Sequence, residues 1–160
     1  MKEYVCGILS QGNCPALVKG GIFRAGEKDF FAWDKNGLMD VRQAIRTCSL
    51  RGGCSGAKAF LKVSVLIVSA VCEAEDWLIT REDLDFSPDN VWYSPSQKRV
   101  MLCLSEDGCS TMFGLLYQLA SLEAPEAIPY IESLRKKAGE ESLSLEAIKK
   151  ELSLRLTGPG

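Results

Sequence analysis

At 160 residues and 17.5 kDa, the chain has material for one domain of ordinary size and too little for two. Its 46% hydrophobic and 25% charged residues match a soluble folded protein and exclude a disordered or fibrous one. The net charge of -2 gives no electrostatic footprint for nucleic acid, and with no histidine there is no Ser-His-Asp or Cys-His nucleophile pair and no Cys₂His₂ zinc site.

In chain order, Ala16-Leu17-Val18-Lys19 and Phe30-Phe31-Ala32-Trp33 flank a charged, glycine-containing turn, Arg24 to Lys28. This pattern predicts a β-hairpin, with a bulge at Gly20 and Gly21, closed by Asp34-Lys35-Asn36-Gly37. Leu38, Val41, Ala44 and Ile45 then follow the spacing of a short amphipathic helix, before a glycine-rich loop over Ser49 to Gly56. Ser55 is placed to cap a helix from Ala57 to about Glu75. Apolar residues cover nearly its whole circumference, which is the pattern of a buried central helix.

Trp77-Leu78-Ile79 and a polar segment lead to two short strands, Val91-Trp92-Tyr93 and Arg99 to Leu104, joined by a turn over Ser94 to Lys98. Three helices complete the pattern: Thr111 to Leu122, Pro125 to Lys137, and Ser144 to about Leu156. Leu145, Ile148 and Leu152 make one apolar face of the last helix, and Leu154 and Leu156 are expected to pack near its end. Arg135-Lys136-Lys137 complements a helix C-terminus. Residues 157–160, Thr-Gly-Pro-Gly, read as a linker or chain end.

Seven cysteines, at Cys6, Cys14, Cys48, Cys54, Cys72, Cys103 and Cys109, are odd in number and have no C-x₂-C spacing. Inert, reduced thiols are the expectation, with Cys72 and Cys103 packed as small hydrophobes. Cys48 and Cys54, in the glycine-rich loop, are the candidates for a redox-sensing pair, although nothing near them in sequence would lower a thiol pKa. No apolar run is long and unbroken enough to span a bilayer, and Met1 to Gly7 carries no signal-peptide core, so a cytoplasmic protein is expected.

The segment Leu84-Asp85-Phe86-Ser87-Pro88-Asp89-Asn90-Val91 resembles the catalytic loop of protein kinases, H-R-D-L-x-x-x-N. Asp85 falls on the catalytic base and Asn90 on the metal-binding asparagine. In that resemblance the hairpin stands for the last two strands of the N-lobe, and Asp34 to Gly37 for the hinge. Ala57 to Glu75 stands for the long helix before the catalytic loop, and Val100 to Glu106 for the strand carrying the D-F-G triplet. The departures are costly for phosphoryl transfer, which depends on positioning and charge neutralisation. Leu104 replaces the D-F-G aspartate, Asp83 and Leu84 stand at the His and Arg of H-R-D, and Ser87 replaces the loop lysine. Before residue 16 there is no room for the glycine-rich loop, the lysine strand and the helix that pairs with it.

The order of a strand pair, a short helix, an apolar helix, Trp77-Leu78-Ile79, Leu84 and Pro88 to Tyr93 also resembles the DUF6382 family of bacterial domains. Typical text there is close to Y-L-L-x-P-x-x-I-x-L-x-P-E-x-I-Y-V. In those proteins the domain precedes a forkhead-associated domain, which is absent from this chain but is implied as a possible part of a longer protein. The type VII secretion component EssB/YukC is a more distant analogue.

These resemblances imply an α+β, truncated protein-kinase-like (pseudokinase) fold. Its hairpin part is about 1–37 and its helical lobe about 38–156. The implied role is a non-catalytic protein-interaction or scaffolding module in bacterial signalling or secretion, with a protein partner and no cofactor, metal, nucleic acid or membrane insertion. Trp92, Tyr93 and Trp33 are the interaction candidates, Trp and Tyr being enriched at interfaces. The alternative is nucleotide binding or residual phosphotransfer, with Asp85 as base and Asn90 as magnesium ligand.

Overall fold

The computed structural model describes residues 7–8, 14–105 and 110–157. Five helices are described from residue 14 onward: α1 (Val41–Gly52), α2 (Gly56–Asp76), α3 (Met112–Glu123), α4 (Ile128–Glu140) and α5 (Leu145–Thr157). They assemble round α2, which contacts α1, α3 and α5 as well as the sheet. Ser55 caps α2 as expected, its Oγ accepting the Lys58 N–H at 3.2 Å. Phe60, Val63, Ile67, Val68 and Val71 are buried. Val65 and Leu66 are half-buried against the same core. The buried serine of α2, Ser64, donates its hydroxyl to the Phe60 carbonyl at 2.8 Å, so the apolar surroundings hold no unpaired hydroxyl there.

Trp77-Leu78-Ile79 ends the helix in a Schellman motif. The Ile79 N–H donates to Ala74 O at 3.0 Å and the Leu78 N–H to Glu75 O at 2.9 Å. Leu78 holds the left-handed position (φ 62) that glycine ordinarily takes, while Ile79 turns back into the core.

Antiparallel strands form two sheets. β1 (Gly20–Ala25) and β2 (Lys28–Trp33) make a hairpin; β3 (Met39–Asp40), β5 (Val91–Ser94), β6 (Arg99–Leu104) and β4 (Leu84–Asp85) lie side by side in that order. The hairpin's first strand is therefore Gly20–Ala25 rather than residues 16–19, and Gly20 and Gly21 pair regularly with Trp33 and Ala32 instead of forming a bulge. Gly26, at φ 68, makes the tight turn possible. Ala16, Leu17 and Val18 are all buried and lie beside β6: Val18 N–H donates to Leu102 O, and Leu102 N–H to Ala16 O, both at 2.8 Å. A continuous apolar run suits a segment covered on both faces, whereas a hairpin with one open face needs alternation.

Other boundaries shift for local reasons. Asp40 rather than Leu38 sets the start of α1, its Oδ1 accepting the Arg42 N–H at 2.8 Å while Leu38 lies before the helix. Ser49 to Gly52 belong to α1, which ends at Gly53 in the left-handed conformation (φ 61), so the expected loop shrinks. Pro125–Ala127 forms a 3₁₀ turn leading into α4. On α5, Leu145, Ile148 and Leu152 are buried as expected and Leu156 is half-buried, but Leu154 points outward with 56% of its surface exposed. Among the described residues no helix is long and apolar enough to cross a membrane.

Candidate functional site

The loop between β4 and β5 folds around the Asp85 carboxylate. Oδ1 accepts the Ser87 N–H and Oδ2 accepts the Asn90 side-chain amide, both at 2.8 Å. Asp and Asn are suited to this because a short polar side chain can satisfy backbone and side-chain donors two to five residues away. Pro88 is buried, Phe86 anchors the loop in the core, and the Phe86 N–H donates to Ser110 Oγ at 2.8 Å. The structure thus brings together the two residues picked from the kinase-like pattern and joins them directly. Leu104 pairs with Leu84 next to them, and Cys103 with Asp85. Glu106 lies outside the described residues. Among the described residues, no group of three Asp, Glu, Cys or His side chains converges as a metal site would require.

Arg42 ties this loop to the start of α1. Its guanidinium lies 3.0 Å from Asp40 Oδ2 and 2.8 Å from Asp89 Oδ1. Burial pushes the Asp40 carboxyl up, but the Arg42 guanidinium and backbone N–H outweigh it, and the net shift is downward. A second tether, Arg46 to Glu123, joins α1 to α3 through hydrogen bonds of 2.6 to 2.9 Å. The Arg42–Asp89 and Arg46–Glu123 tethers do not stand out in the sequence, because they join residues 47 and 77 positions apart.

The aromatic candidates gather where the hairpin meets the larger sheet. Val18, Met101 and Cys103 are buried there, with Trp33, Leu38 and Trp92 packed against them. Trp33 stacks on Phe31 at 5.4 Å between ring centroids and lies over Gly20. A Cβ on Gly20 would stand 2.5 Å from Ala32 O and 2.7 Å from the Trp33 ring, so the close approach requires glycine. Trp92 is half-buried with Lys35 Nζ 4.7 Å from its ring centroid, and its indole N–H is buried without a hydrogen-bond partner. Tyr93 is half-buried against the main core and pairs with Met39.

Among the described residues the two most exposed aromatics, Phe23 and Phe30, are ones the sequence pattern did not single out as interaction candidates. Phe23 is 61% exposed and Phe30 48%, and they face each other directly across the hairpin. The available signal was the β1 register: once Ile22 and Phe31 face the core, Phe23 and Phe30 must face away.

The thiols are set up for packing more than for chemistry. Burial, reinforced by the Asp85 charge, pushes Cys103 up to about 12, and burial followed by Glu146 pushes Cys72 up to about 11. Cys48 and Cys54 do lie together: the Cys54 thiol donates to Cys48 O at 3.6 Å. Burial, then the neighbouring Cys54, raises the Cys48 thiol, which disfavours the thiolate a sensor would use. Cys6 and Cys109 lie outside the described residues. Set against known proteins, the chain matches no family model, no curated protein and no solved structure.

Proposed function

We propose that this protein is a non-catalytic, kinase-like interaction module, as the DUF6382 resemblance implies for bacterial signalling or secretion. The observation that carries the reading is the hairpin, whose two faces do different jobs. Its inner face, with Ile22, Phe31 and Trp33, packs against the rest of the chain. In the kinase-like reading this junction is the cleft where a nucleotide would lie, and Trp33, Trp92 and Met101 occupy it. Its outer face presents the cross-strand pair Phe23 and Phe30, large apolar side chains of the type that anchor protein interfaces. The Asp85–Asn90 hydrogen bond then serves as a clasp that shapes the loop, consistent with a site lacking the aspartate and lysine of phosphoryl transfer.

A thermal-shift titration with ATP, with and without magnesium, separates this reading from its alternative. The expected result is no shift at millimolar ATP. A nucleotide at about 100 times its dissociation constant would add roughly 2.7 kcal/mol of stability. A magnesium-dependent shift lost in Asn90→Ala would instead establish residual nucleotide binding at Asp85 and Asn90. Affinity capture of a partner by the wild type, lost in the Phe23→Ser/Phe30→Ser double variant and kept in Leu50→Ser, supports the interaction face; Leu50 is an even more exposed apolar residue outside the hairpin.

A further inference from the structure

A cavity of about 380 Å³ opens between α1, α2 and the β5–β6 turn. Met39, Ala44, Val63, Leu66, Tyr93 and Pro95 give it an apolar lining. Three cations complete it: Arg51 at the end of α1, Lys62 on α2, and Lys98 in the turn. Among the described residues no carboxylate lines the cavity. None of the three cations forms an ion pair among the described residues, although Lys62 is half-buried. Lys98 sits at φ 53, an unusual backbone conformation for a residue other than glycine, asparagine or aspartate.

The contrast with a neighbouring cavity sharpens the point. The one beside Asp40, Arg42, Gln43 and Arg46 is similar in size, at about 400 Å³, but its cations are already bound to Asp40, Asp89 and Glu123. In the first cavity an apolar interior and uncompensated positive charge occur together. Small-ligand sites are typically concave, about 300–1,000 Å³, mostly apolar, and oriented by a few polar groups. We infer that this cavity binds a small amphipathic organic anion, an acyl or aryl body carrying a carboxylate-type head group. The apolar part enters between Leu66 and Tyr93, and Lys62, Arg51 and Lys98 receive the head group through charge-assisted hydrogen bonds. Cys48, which also lines the cavity, reports occupancy.

The test is isothermal titration calorimetry with decanoate and with decyltrimethylammonium, two probes of equal chain length and opposite charge, both below their micelle concentrations. Saturable one-to-one binding of decanoate is expected, with binding of the cationic probe at least tenfold weaker. Arg51→Gln and Lys62→Gln should each weaken decanoate about fivefold, and Thr47→Trp, which fills the cavity from a half-buried position on α1, should abolish it. Decanoate should also slow alkylation of Cys48, read by peptide mass spectrometry. Equal binding of both probes, no binding of decanoate at 1 mM, or decanoate affinity unchanged in Lys62→Gln overturns the inference. Arg51 is exposed, so its variant keeps the test decisive should Thr47→Trp fail to fold.

Discussion

Helix α2 and the β1–β2 hairpin are both apolar in sequence, yet they use that apolarity differently. Ten residues of α2 are buried, so its contribution is measured by the core it holds together. In the hairpin no residue with a described side chain is fully buried: one face leans on the core through Ile22, Phe31 and Trp33, and the other leaves Phe23 and Phe30 in water. A helix buried on all sides leaves little choice of partner, whereas a two-stranded ribbon is only marginally stable by itself and depends on what its faces meet. Apolar side chains thus serve as scaffold in α2 and, on the outer face of the hairpin, as available surface.

The largest expected effect breaks the scaffold side. Phe60, fully buried on α2, should cost about 3–5 kcal/mol when changed to alanine, read by urea denaturation. Gly20→Ala should cost about 1–3 kcal/mol, because the added methyl meets Ala32 O and the Trp33 ring. A matching change in tryptophan fluorescence would localise that effect to the hairpin junction; an unchanged spectrum and stability would show that the two strands yield without strain.

Asp40→Ala, which removes the α1 cap and the anchor of Arg42, should cost about 1 kcal/mol at neutral pH. Its pH dependence gives a second readout. The folded carboxyl lies below its ordinary value of 3.8, so its stabilisation is complete above that value and is lost as pH falls through the folded one. The variant's stability should therefore decline less across that acid window than the wild type's. Leu78→Gly should stabilise the helix end by about 1 kcal/mol, since the side chain is exposed and the backbone is left-handed. The smallest effect is expected on the surface side: Phe23→Ser/Phe30→Ser should change stability by about 0.5 kcal/mol or less per residue, read in the same urea series. A loss of several kcal/mol would mean that the outer face is a structural element after all. Hydrogen exchange completes the comparison, with hairpin amides expected to exchange before those of α2.

The legible parts of the fold were those governed by local rules. The Ser55 cap, the all-round apolar α2, the short strand at Val91–Tyr93 and the apolar face of α5 each depend on residues close to each other in the chain. The errors arose where distant segments decide. Ala16 to Lys19 has the pattern of a hairpin strand, but its partner is β6, and the exposure of Leu154 depends on where α5 rests against the other helices. In the loop, the proximity of Asp85 and Asn90 could be read from their spacing, but their direct hydrogen bond could not.

By itself the sequence determined an α+β chain with a central apolar helix, because hydrophobic periodicity and caps are local properties. Only the tertiary structure decided which aromatics face water, which cations remain unpaired round the α1–α2 cavity, and that Arg42 joins Asp40 to Asp89. Each of these depends on elements far apart in sequence meeting at a particular register, and register is set by packing that no single segment contains.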